Sequence, residues 1–223
     1  MDFKKVFAGA VFSLLQQRLV LAKALLLPMV AYLVLGFVSY LEAGIMLQVF
    51  VWLLSTVVEV LIAVTTHRIV LLGAGSVPAW GIFVPTAREW WFLLYLLGLT
   101  VLMGLVGMLV TIPVIGVVLW LLAALYLLSR LSLVFPAIAV DQPISFAASW
   151  QRTQQHQKLM LLVVIIVPVL VGTLSYLVGL VPYAYILGLL LWPVGLVFTV
   201  AMLSMAYLLI VQSEGIEDNS QTQ

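Results

Sequence analysis

From Trp90 to Ser129 the chain runs for about 40 residues without one Asp, Glu, Lys or Arg, and from Leu159 to Ser213 for about 55. A stretch this apolar belongs in lipid, where every backbone N–H and C=O must be bonded within its own segment or barrel. At roughly 20 residues per helical crossing, each stretch holds two spans. Two further runs, Leu19–Leu41 and Ile45–Thr66, complete six. The sequence therefore predicts an all-α polytopic membrane protein: six transmembrane helices in three helical hairpins, with amphipathic helices on the cytoplasmic side.

Composition supports this class. Of 223 residues, 65% are hydrophobic and 8% charged, whereas soluble domains carry about 25% charged residues. Mean hydropathy is +1.30. All nine Lys and Arg fall in alternate connections. Lys4, Lys5, Arg18 and Lys23 precede or open the first span. Arg68 and Arg88 lie between the second and third, and Arg130, Arg152 and Lys158 between the fourth and fifth. The connections around Leu41–Ile45, Thr111–Pro113 and Gly179–Tyr185 have no basic residue. The positive-inside rule then places both termini in the cytoplasm. These cations are topology signals, and no basic patch for nucleic acid is present. With no cysteine, disulfides, thiolate nucleophiles and Cys-ligated metals are excluded.

A basic start followed by Val6–Leu15 has the outline of a signal peptide, but Gln16, Gln17 and Arg18 lead straight into a full-length span without a convincing cleavage site. Phe3, Phe7, Val11, Leu14 and Leu15 recur at helical spacing, which predicts an interfacial amphipathic helix. Residues 1–213 read as one transmembrane domain, and the acidic 214–223 as a disordered cytoplasmic tail. Arg18, Arg88 and Lys158 stand 70 residues apart, each just before an odd-numbered span. RLVLAKALLLP from Arg18 aligns with KLMLLVVIIVP from Lys158. Three repeats follow, 1–70, 71–140 and 141–213, all of the same orientation. Mitochondrial carriers share such a plan. However, the acid and base expected after the odd-helix proline are missing here, where Pro28 and Pro168 precede only apolar residues.

Glu59 is the residue most open to chemistry. It lies eight residues before His67, about 12 Å inside the cytoplasmic end of its span at 1.5 Å per residue. An ionisable group at that depth is costly and marks a candidate site. It is expected either to bind a proton or cation, or to pair helices, with Lys23 as the candidate partner. His67 and Arg68 stand at the membrane boundary, where Arg can hold a lipid phosphate bidentately. Neither His67 nor His156 has a metal-ligand partner at i+3 or i+4. No cofactor is expected.

The connection RLSLVFPAIAVDQPISFAASWQRTQQHQK, from Arg130 to Lys158, is the most distinctive. Pro136 ends or kinks the fourth span's extension, Asp141-Gln142-Pro143 makes a turn, and Ser145 caps a helix bearing Trp150. Trp150 suits the headgroup level, and Arg68, Arg88, Arg130, Arg152 and Lys158 are candidate contacts to anionic headgroups. Through Pro136, Val140, Asp141, Ser145, Ser149, Trp150 and Thr153 this segment resembles six-span bacterial inner-membrane proteins. It is similar too to the membrane domain of some glycerophosphodiester phosphodiesterases. The resemblance implies a bacterial plasma-membrane location and no activity, since phosphodiesterase chemistry belongs to a separate soluble domain.

No nucleophile–base pair, paired carboxylates or Gly-x-Ser-x-Gly elbow lies within the spans. The expectation is a non-enzymatic accessory or assembly subunit or lipid-interacting scaffold. Its partners would be membrane lipids, another membrane-protein complex or itself. The alternative is a small transporter or channel using Glu59.

Overall fold

Each long apolar run becomes a helix in the computed structural model, which describes residues 3–39, 44–81, 84–181 and 184–221, without the side chains of 185, 186, 189 and 213–221. The order is α1 (Phe3–Gln16), α2 (Arg18–Ser39), α3 (Ile45–Leu72), α4 (Ala87–Gly107), α5 (Gly116–Leu131), α6 (Val134–Ala139), α7 (Phe146–Arg152), α8 (Gln157–Gly179) and α9 (Tyr185–Gln221). Six helical stretches are long and apolar enough to cross a membrane: Arg18–Ser39, Ile45–Leu72, Ala87–Thr111, Gly116–Ala139, Gln157–Gly179 and Leu190–Gln212. No strand occurs among the described residues. The chain is an all-α, multi-pass membrane protein.

The turn between the third and fourth spans is tight. Gly116 begins α5 against the backbone of Leu109 and Val110, where a Cβ would overlap the Leu109 carbonyl oxygen. Val114 beside it sits at φ 68° and is 98% exposed. Of the other two apolar turns, residues 41–43 and 182–183 lie outside the described residues.

Packing centres on α9, which lies against α8, α3 and α1, while α2 packs along α3. Helix α1 forms where the sequence predicts a helix, and it packs on the bundle. Val6 and Ala10 are fully buried against the core, and Gly9 meets Met205 so closely that a Cβ would collide with its methyl group. Phe7, Phe12 and Leu15 remain on its exposed side. The helix therefore buries its small residues in the protein and turns several large ones outward. Helix α3 is also longer than predicted, so His67 and Arg68 stand on it rather than in a connection. At its far end α9 runs on to Gln221, through most of the segment expected to be a disordered tail. Extending an existing helix needs no new nucleus. Residues 222–223 lie outside the described part.

Candidate functional site at the basic end of the bundle

Helices α3, α4 and α6 bring their charged ends together. Asp141 follows α6 in a left-handed conformation, φ 61°, which Asp tolerates better than most residues. Its Oδ2 accepts from Arg68 Nη1 at 2.8 Å and its Oδ1 from Arg88 Nε at 2.6 Å. Arg68 also donates to the carbonyls of Ser76 at 3.1 Å and Ala139 at 2.9 Å. One carboxylate thus ties the end of the second span, the start of the third and the end of the fourth. Partial burial works to raise the Asp141 pKa. The hydrogen bonds and charges of Arg88 and Arg68 outweigh it and hold the carboxyl below its ordinary value.

Glu89 is buried in the first turn of α4, accepting from the Thr86 backbone N–H at 2.7 Å and from its hydroxyl. This closes a capping box that fixes where α4 begins. Two cavities flank the cluster. One of about 490 Å³ lies between Arg68 and Arg88, walled by Pro78, Trp80 and Thr86. The other, about 470 Å³, lies between Arg88 and Asp141 beside Trp91 and Tyr95. Trp80 and Trp91 are each 56% exposed. Gly81, at φ 86°, packs under the Ala24 carbonyl of α2, where any Cβ would overlap it. The first hairpin is thereby seated against this rim.

The remaining basic candidates separate. Arg130 is 2% exposed, its guanidinium 4.7 Å from the centre of the Trp150 ring. Its Nε and Nη1 have no acceptor. It is therefore beneath the surface, not on it. Its carbonyl accepts from Ser149 Oγ at 2.8 Å and Thr153 Oγ1 at 3.2 Å. Ser145 caps α7 through the Ala148 N–H, as predicted. Arg152 is part-buried in the last turn of α7, and Lys158 is exposed in the first turn of α8.

Within the spans, Glu59 meets different partners from those expected. Trp192 Nε1 of α9 donates to its Oε1 at 2.9 Å, and Tyr32 of α2 lies beside it. Among the described residues no ion pair joins it to Lys23, which is exposed. Tyr32 stands nine residues after Lys23, about 13 Å further along α2, which explains this. His67 is buried, with Nδ1 2.7 Å from Ser204 Oγ. The hydroxyls of Thr56, Thr66, Thr100, Thr199 and Ser204 bond carbonyls of their own helices. No group of three potential metal ligands occurs among the described residues.

Sequence reasoning missed Tyr32, Trp192 and Ser204, because the register between α9 and α2 or α3 leaves no local signal. Asp141 was legible as a turn residue but not as the partner of two arginines. No family model matches the sequence, and no curated protein or solved structure matches it.

Proposed function

We propose that this chain is a non-catalytic scaffold of the bacterial plasma membrane, with both termini cytoplasmic and its basic rim bound to phosphate-bearing lipid headgroups. The observation that carries the reading is the Arg68–Asp141–Arg88 bridge with a cavity on either side and exposed Trp80 and Trp91 at their walls. Indole rings favour the headgroup level and guanidinium groups favour phosphate. Asp141 leaves further N–H donors on both arginines. The polar groups inside the spans point the same way. Glu59 and His67 bond across helices, and the hydroxyls of Thr56, Thr66, Thr100, Thr199 and Ser204 bond their own backbone, whereas a transporter relies on polar groups lining its path.

The test is purification from native membranes in mild detergent, tagged after Gln223, with co-purifying proteins and lipids identified by mass spectrometry. An enriched anionic lipid, reduced in Trp80→Ala and Trp91→Ala, supports the reading. A stoichiometric protein partner without lipid enrichment makes the chain an accessory subunit instead. A second reading, a small transporter or channel, draws on one observation, the crevice beside Glu59. A transporter would lose flux in Glu59→Gln while still folding. A scaffold would show only a modest loss of stability.

A further inference from the structure

Helices α4 and α9 both pack on α3, and a crevice of about 200 Å³ lies between them. Its lining is mostly apolar and includes Ala63, Phe92, Phe135 and Leu196. Two polar residues interrupt them, Glu59 and His67. His67 lines it and is bonded behind to Ser204, and both are buried. No Lys or Arg lines it.

Both polar residues offer acceptors. The groups facing Glu59 from neighbouring helices are donors, Tyr32 from α2 and Trp192 from α9, and neither carries a positive charge. Ser204 gives its one hydroxyl proton to the Val200 carbonyl at 2.9 Å. Its 2.7 Å contact with His67 Nδ1 is then assigned to a ring N–H. A neutral His67 has only the lone pair of Nε2 left. The residues that line the crevice thus present acceptors, and none of them is Lys or Arg. Phe92 and Phe135, their centroids 4.9 Å apart, add apolar ring surface.

We propose that this crevice binds a small lipophilic ammonium ion that reaches it from the bilayer, with the charged nitrogen on Glu59 and the apolar tail along Phe92 and Phe135. In a medium of low dielectric an ammonium–carboxylate pair is far stronger than in water. The volume is below the roughly 300–1,000 Å³ of drug-sized sites, which restricts the ligand to a short amine. The inference does not depend on the scaffold reading, since the crevice and the rim cavities share no residue.

The experiment uses the full chain in phosphatidylcholine nanodiscs, with benzylammonium as probe and benzyl alcohol as its uncharged counterpart. Saturation-transfer NMR is read against empty nanodiscs. Saturable, protein-dependent transfer to benzylammonium and not to the alcohol is expected. Glu59→Gln should weaken it about tenfold or more. If that variant does not fold, Leu96→Phe, which crowds the crevice and leaves the carboxylate in place, should give the same loss. Transfer equal to that of empty nanodiscs, equal for the alcohol, or unchanged in a folded variant would overturn the proposal.

Discussion

Two acids, Glu59 and Asp141, are held in opposite ways. Glu59 lies within a span, where a neutral donor, the Trp192 indole N–H, bonds it. Asp141 lies beyond the end of its span, half exposed, between two guanidinium groups that are themselves mostly covered. Because water reaches Asp141, Asp141→Asn should cost about 1 kcal/mol rather than the several expected of a buried pair. The pH dependence has a definite sign. The folded-state pKa is depressed, so the stabilisation is complete above the ordinary carboxylate value of about 4. It is lost as pH falls through the lower folded value. Thermal unfolding of the purified protein across the acid range should show wild type losing more stability than Asp141→Asn, with the two curves converging at the acid end. Parallel curves would mean that the bridge adds nothing to stability.

Among the elements, α7 shows how seven residues without a span of their own are fastened. It is fixed by its Ser145 cap, by Ser149 and Thr153 on the Arg130 carbonyl, and by Trp150, whose ring lies against the guanidinium and nearly perpendicular to Tyr126. Trp150→Ala should therefore cost about 2–4 kcal/mol, from lost burial and the cation–π contact together. Arg130→Met should cost much less or even stabilise, since it removes a buried guanidinium whose Nε and Nη1 lack acceptors while the carbonyl contacts persist. Denaturation in mixed micelles gives both values, and a larger loss for Arg130→Met than for Trp150→Ala would disprove this account of the latch. The cap at Ser145 was legible because capping is local, set by a Ser after Asp-Gln-Pro. The seats of Ser149 and Thr153 were not, since both reach a carbonyl 19 or more residues away. Helix α1 makes the same point. Its helical period was plain, yet which side meets protein depends on Gly9 fitting Met205, and a hydrophobic stripe records only that a side is apolar.

For the molecule as a whole, the contacts bring the basic connections to one end independently of the charge rule. Arg68, Arg88 and Asp141 bond one another, Gly81 seats on Ala24, and α7 clasps the end of α5. The Val114 turn belongs at the opposite end, because α4 and α5 each span the bundle from the basic rim to that turn. The fold thus has two chemically different ends, and only their assignment to the two sides of the membrane rests on the positive-inside rule. The chain contains no cysteine, so single-cysteine variants can be read against a silent background. Val114→Cys at the exposed turn and Gln154→Cys in the exposed segment after α7 should label in opposite ways with a membrane-impermeant maleimide. In intact spheroplasts Val114→Cys should label and Gln154→Cys should not, until the membrane is opened. The reverse pattern would keep the fold and invert the protein. The rim would then face away from the cytoplasm, and Arg68, Arg88 and the tryptophans would meet the headgroups of the other leaflet. Labelling of both sites in intact spheroplasts is incompatible with six spans, because the two positions are separated by the single crossing of α5 and α6.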